Sequence, residues 1–303
     1  MFFQQILNGL TLGSIYALVA LGYTIIYGVL LLINFAQGEV FMIGAMVGLT
    51  SSSIAMRTLL HQNIGGPAVL LIAFIGASIV CGLLAVLIER LCVRPLRDAP
   101  KIYVLITTLG ISIVLQNIVM LTAGSSNVQF PETIFSRQIS LLNARISLGQ
   151  LVIIGVCALL MFALHSLISY TKLGTSMRAT RDDKKMARLV GIPTDRIIMK
   201  SFALAAVMAA VAGPLYAMNY GVAKFDMGYL IGIKAFTAAI FGGIGNIYGA
   251  MLGGLLIGLV ESLTAGYVPK GEDYKDVFVF VALILILLIR PKGLLGERVA
   301  QAR

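Results

Sequence analysis

The chain has 303 residues, of which 59% are hydrophobic and only 12% charged, with no tryptophan and a net charge of +10. That balance excludes an ordinary water-soluble domain, where about a quarter of residues carry charge. The basic excess is gathered into a few segments rather than spread over a surface, so it reads as a membrane-topology signal and not as a nucleic-acid footprint.

Between Met1 and Arg57 the only charged residue is Glu39. Hydrocarbon cannot satisfy backbone polar groups, so uncharged apolar runs of about 20 residues read as membrane-spanning helices. In chain order the pattern predicts spans at 6–33, 40–56, 68–88, 102–122, 148–170 and 199–220, a broken unit over 233–267, and a last span at 277–290. The fold class expected is therefore all-α, a single polytopic membrane domain over 1–303 with about eight transmembrane helices and broken or re-entrant segments. The N-terminus carries no Lys or Arg before its first apolar run, unlike a cleavable signal peptide, so the first helix is expected to be retained.

Most of the 23 Lys and Arg lie in three places. Arg90, Arg94, Arg97 and Lys101 form one basic loop, and Lys172, Arg178, Arg181, Lys184, Lys185, Arg188, Arg196 and Lys200 form a second. Arg290, Lys292, Arg298 and Arg303 make a basic tail. The positive-inside rule predicts all three to be cytoplasmic, which puts the N-terminus, the 122–147 segment with its Arg137 and Arg145, and the 221–231 loop outside.

Two interruptions break the apolar pattern. One is Asn34-Phe-Ala-Gln-Gly-Glu39; the other is Gly242-Gly-Ile-Gly-Asn246, preceded by a stretch from Lys234 to Phe241 too short to span alone. The second predicts a half-helix that enters, turns at the glycines and returns through 247–267. Irregular backbone at such depth is tolerated only where it is buried in protein or lines a wet cavity. Gly9 with Gly13, and Gly249, Gly253, Gly254 and Gly258, give small-residue spacings that suit close helix packing, within the chain or in a dimer.

Chemistry within the chain is not supported. The glycine-rich 242–249 stretch lacks the Lys and Ser/Thr of a phosphate-binding loop, and there is no HExxH or GxSxG. His61 and His165 are far apart in sequence, and Cys81, Cys92 and Cys157 have no metal or redox spacing. The expectation is no catalytic residue, no metal and no cofactor in this chain, with energy drawn from an ion gradient or from another polypeptide.

The longest basic loop contains a short helical stretch, Lys184–Val190, opened by Asp182 and Asp183 and stopped by Gly191 with Pro193 beyond. A short capped helix on the membrane face suits docking into a partner's groove; a solvated connector or a patch for anionic lipid are the alternatives. Its residues carry a resemblance. Gly174-Thr-Ser-Met-Arg-Ala, then Met186-Ala-Arg-Leu-Val-Gly-Ile192 and a proline, is similar to the coupling loop of binding-protein-dependent ABC importer permeases. With Asn34–Glu39, Lys234-Ala-Phe-Thr-Ala-Ala-Ile-Phe-Gly-Gly-Ile-Gly-Asn246, Tyr274-Lys-Asp-Val and Pro291-Lys-Gly-Leu-Leu-Gly296, the whole chain resembles the H-type membrane subunit of branched-chain amino acid importers. The Glu-Ala-Ala form of the coupling motif is not fully present, as in the ribose-permease-like branch.

The resemblance implies a bacterial inner-membrane permease that forms half of a translocation path for branched-chain amino acids. It implies an M-type permease partner, two cytoplasmic ATP-binding subunits that hold ATP and Mg, and an extracytoplasmic substrate-binding protein. The coupling contact would fall on Arg178, Lys184, Lys185, Ala187, Arg188 and Gly191. Polar residues inside spans are functional candidates by default. Here they are Asn34, Gln37, Glu39, Thr107, Thr108, Gln116, Asn117 and Glu261, together with the turn glycines Gly242, Gly243 and Gly245. Glu39 could equally serve the start of the following helix, and Lys234 could pair with Glu261 or snorkel to the interface. Urea, short amides and sugars remain alternative substrates, and an ion-coupled secondary transporter remains an alternative class.

Overall fold

The computed structural model describes residues 2–59, 66–97, 99–129, 138–141 and 144–296. His61, Arg137, Arg298 and Arg303 lie outside them. The first half runs through helices α1 (Phe2–Leu30), α2 (Gln37–Leu59), α3 (Gly66–Ile88) and α4 (Lys101–Ala123). Helices α5 (Leu148–Tyr170), α6 (Lys172–Asp182), α7 (Lys184–Leu189) and α8 (Thr194–Tyr220) follow. The chain closes with α9 (Met227–Gly242), α10 (Ile247–Tyr267) and α11 (Gly271–Ile289). Strands β1 (Val128–Gln129) and β4 (Val222–Ala223) pair antiparallel, as do β2 (Gln138–Leu141) and β3 (Ala144–Ser147).

Seven of these helices are long and apolar enough to cross a membrane. Helix α9 is apolar but has only 16 residues, and α11 opens with Glu272, Asp273, Lys275 and Asp276 before its apolar run. Each expected span has a helix in its place, with ends shifted by up to six residues, though α9 and α11 are not among the seven. Helix α1 is buried around most of its circumference and forms the axis on which α8, α9 and α10 pack. Faces of α3, α4 and α5 stay outward, with Leu83, Leu121 and Phe162 among their exposed side chains.

The glycine spacings resolve as packing within the chain. Gly9 and Gly13 of α1 lie against Gly258 and Gly254 of α10, so that a methyl at Gly13 would meet the Leu255 backbone at 2.8 Å. Without a hydrophobic drive between helices in lipid, such close approach maximises dispersion contact.

Two expectations about the breaks need correction. The first break is Leu31–Ala36, and Gln37, Gly38 and Glu39 already form the opening turn of α2. Leu31 takes φ +53°, a left-handed conformation that costs a branched side chain about 1 kcal/mol and stops α1. The second break is not a half-helix headed by Lys234. Helix α9 starts seven residues earlier, and at 1.5 Å per residue it extends about 24 Å. Its turn, Gly243–Asn246, sits at the end of the bundle that carries the basic loops. There the Leu294 and Leu295 amides donate to the Phe241 and Gly242 carbonyls at 2.9 Å each. The helix continues upstream because Gly228 and Gly232 let its first turns lie directly on Gly38.

Candidate functional site

Three polar clusters lie along the bundle. The central one is built on the Leu31–Ala36 break, where six residues of backbone leave the helical ladder and need other partners. The Asn34 side chain accepts from the Ala36 amide at 3.2 Å, and the Phe35 amide donates to Thr108 Oγ1 of α4 at 3.3 Å. The Gln37 amide nitrogen donates to the Ala205 carbonyl of α8 at 2.8 Å. Glu39, 1% exposed, accepts from the Ser112 hydroxyl at 3.1 Å through Oε1. Its Oε2 has no hydrogen-bond partner among the described residues and lies against Gly228, where any side chain would collide with it. Phe35, Phe236 and Tyr23 close one wall, with successive ring centroids 5.7 Å apart.

The break and the first turn of α2 thus join α4 and α8 through hydrogen bonds, and α9 packs against them through Gly228 and Phe236. Asn34, Gln37, Glu39 and Thr108 meet there as the sequence grouping suggested, and Ser112 joins them. Ser112 lies one helical turn beyond Thr108 on the same face of α4, a spacing that would have revealed it. Thr107, Gln116 and Asn117 do not join the cluster. Thr107 and Asn117 return their side chains to carbonyls four residues back, and Asn117 lies on the outward face between Val114 and Leu121.

The second cluster is ionic and lies toward the opposite end from the basic loops. Lys234 of α9, 7% exposed, donates to Glu261 Oε1 of α10 at 2.8 Å and reaches Asp276 of α11 at 2.6 Å. Tyr16 of α1 donates to Glu261 Oε2 at 2.8 Å, and Lys275 stands 3.8 Å from Oε1. Lys234 is therefore the buried centre of an ion pair, not an interfacial cation. Four helices share this network, and Tyr16 and Asp276 gave no sign of it in the sequence because their partners lie on other helices.

The third cluster occupies the basic end. Asp183 caps α7 by accepting from the Lys185 and Met186 amides at 2.8 and 3.0 Å. Gly191, at φ +86°, ends it, with the Ile192 amide donating to the Ala187 carbonyl at 2.9 Å. Ala187 is buried, whereas Met186, Leu189 and Val190 are 60%, 80% and 76% exposed. Arg188 donates to Thr194 Oγ1 at 2.9 Å and pairs with Asp195 at 3.2 Å. Asp195 also pairs with Arg94 at 3.0 Å and Arg97 at 2.9 Å, and Arg97 pairs with buried Glu89. One carboxylate at the first turn of α8 thus ties α7 to the α3–α4 connection. Arg178 of α6 donates to the Ile168 carbonyl, while Lys184 and Lys185 sit at the start of α7. The turn glycines belong to this end too: Gly245 and Asn246 share a cavity of about 270 Å³ with Arg178, Arg181 and His165.

The chain combines a six-residue break between its first two spans with a capped surface helix before a long span. The family model described as branched-chain amino acid transport system / permease component matches residues 5–287. The chain belongs to that family. It is 46% identical over 302 residues to the high-affinity branched-chain amino acid transport system permease protein LivH of Salmonella typhimurium, covering 98% of this chain and 96% of the relative. The corresponding BraD of Pseudomonas aeruginosa is 44% identical with the same coverage. The autoinducer 2 import system permease protein LsrC of Yersinia pseudotuberculosis is 30% identical over 227 residues, 73% of this chain and 60% of that protein. The chain is thus a multi-pass membrane permease component and not itself a catalytic subunit.

Proposed function

We propose that this chain is the membrane subunit of an ATP-driven importer that takes branched-chain amino acids across a bacterial inner membrane. It forms half of the path beside an M-type permease, receives substrate from an extracytoplasmic binding protein, and is worked by two cytoplasmic ATPase subunits that hold ATP and Mg. The basic end is cytoplasmic and the N-terminus extracytoplasmic, in keeping with the positive-inside rule. The substrate class rests on the relatives at 44–46% identity. The LsrC likeness, at 30%, is what keeps a different small solute in view.

The observation that carries the coupling role is α7. A six-residue helix cannot hold itself in water, yet it is capped at both ends, tied to α8 through Arg188 and Asp195, and leaves Met186, Leu189 and Val190 uncovered. A groove on an ATPase subunit would cover them. Around the break, Asn34, Gln37, Glu39 and Thr108 form the part of the path within this chain, and the outward Asn117, Gln116 and Thr107 face the paired permease. Glu261 lends charge near the outer mouth, and Gly242, Gly243 and Gly245 form the turn packed beside the coupling segment.

The test is reconstituted leucine uptake with binding protein and ATP, with Leu189→Asp as the variant. A charge at this exposed site leaves the fold intact, so the expected result is normal membrane insertion, loss of the co-purifying ATPase and loss of uptake. Leucine uptake by the chain alone without ATP would overturn the importer reading in favour of a secondary transporter.

A further inference from the structure

We infer that the basic end carries a binding site for an anionic phospholipid, set between the α3–α4 connection and the first turn of α8. A cavity of about 550 Å³ opens there, lined by Arg90, Arg94, Arg188 and Arg196, by Ile192 and Met199, and by the acids Glu89 and Asp195. Both acids are already engaged: Glu89 pairs with Arg97, and Asp195 is shared among Arg94, Arg97 and Arg188. Arg90 and Arg196 have no ion-pair partner among the described residues. Four arginines line the cavity against two carboxylates, one of which is neutralised by buried Arg97, so the cavity is cationic, and guanidinium groups converging on one space match the oxygens of a phosphodiester.

The lipid source follows from what adjoins the arginines. The outward face of α3 carries Ile75, Ile79, Leu83 and Leu87, all more than half exposed, and Leu91 continues it. Just past Ile88 the chain makes a π-helical segment, Glu89–Val93, in which the Arg94 amide donates to the Glu89 carbonyl. The wider turn buries Glu89 and Val93 while leaving Arg90, Leu91 and Arg94 outward. An apolar face about 20 Å long that ends in a cationic cavity has the polarity of an amphiphile: acyl chain along the isoleucines and leucines, phosphate among the arginines. A free phosphate would not need the apolar face, and an acidic protein surface would not need it inside the bilayer.

The site goes beyond the importer reading and does not depend on it. Its test uses the delipidated full-length chain in neutral detergent, with native mass spectrometry and thermal-shift titration. The probes are phosphatidylglycerol, phosphatidylcholine of the same acyl chains, and inorganic phosphate. Phosphatidylglycerol should be retained and protective, while phosphatidylcholine and phosphate should not be. Because a basic residue near an anionic lipid contributes about fivefold in affinity, the double variant Arg90→Gln/Arg196→Gln should bind about 30-fold more weakly. Arg90→Lys/Arg196→Lys should recover much of the loss, which a misfolded variant would not. Equal binding of the two lipids, equal protection by inorganic phosphate, or unchanged affinity in the double Gln variant would each overturn the site. So would a double Gln variant that keeps its lipid but loses a co-purifying partner, which would give the arginines to that partner.

Discussion

Removing the ammonium of Lys234 leaves the buried carboxylate of Glu261 without its main counter-charge. At 2.8 Å and an effective dielectric constant of about 20, the direct attraction is about 6 kcal/mol, most of which repays the desolvation of both groups. The net contribution of the pair is therefore small, whereas breaking it leaves an uncompensated buried charge that costs about 3–5 kcal/mol. Lys234→Met should fall in that range, at its lower end because Lys275 stands 3.8 Å from the same carboxylate and can move in. Lys234→Met/Glu261→Gln removes both charges and leaves Tyr16 an amide to bond, so it should be less destabilised than Lys234→Met alone, by about 2 kcal/mol. The remaining acid, Asp276, is more than one-third exposed overall, but the oxygen that faced Lys234 is buried, so part of the cost stays in the double variant. Denaturation by SDS of the protein in bicelles measures the three differences. A double variant as unstable as the sum of its singles would refute the argument that charge isolation, and not lost packing, sets the cost.

Glu39→Gln should lower uptake in reconstituted vesicles while leaving binding-protein affinity unchanged; transport at the wild-type rate would remove Glu39 from the path. Gly258→Val, which drives side-chain carbons into the Gly13 backbone, should destabilise the chain by about 1–3 kcal/mol or more and reduce the amount of folded protein in a thermal melt. Gly191→Pro forbids φ +86° and deletes the amide that donates to the Arg188 carbonyl, so ATP hydrolysis should persist without uptake, or the complex should fail to assemble. Asp195→Asn should cost only about 1 kcal/mol of stability, since its ion pairs are partly exposed, yet halve or worse the uptake obtained per ATP; a stability loss with coupling intact would reverse that assignment.

How much of this could be read from the chain depends on where each residue's partners lie. Absence of charge is a property of continuous sequence, so the spans, the cap at Asp183 and the stop at Gly191 were all legible: each involves neighbours within a few positions. The break near Asn34 was legible for the same reason, but its limits were not. Gln37 and Glu39 look like breakers, yet they open α2, because Gln37 finds Ala205 and Glu39 finds Ser112, partners 168 and 73 positions away. Lys234 misled most. A lysine in an apolar run reads as the end of a span, and only Glu261 and Asp276, on two later helices, allow it to sit in mid-helix. Helix α6 was missed because its polar face looks like loop; what fixes it is packing against α1, α5 and α8.

Helix α8 links the clusters that sequence could only treat separately. Asp195, in its first turn, holds the arginine of α7, and Ala205, ten residues on, holds the side chain of Gln37 at the broken span. Ten helical residues measure about 15 Å. Over that length a hydrogen-bonded helix moves as a unit, whereas the Leu31–Ala36 segment lies outside any helix and is held by side-chain bonds such as Phe35 to Thr108 and Asn34 to Ala36. In the importer reading proposed above, α8 is the stiff element along which a displacement of α7 reaches the break. The carboxylate of Glu39, two residues past Gln37, accepts from Ser112 of α4 through one oxygen, while the other is buried against Gly228 of α9 with no hydrogen-bond partner among the described residues. A buried carboxylate oxygen without a partner is costly to keep; in the reading proposed above it serves the path, and the Glu39→Gln uptake assay is its test.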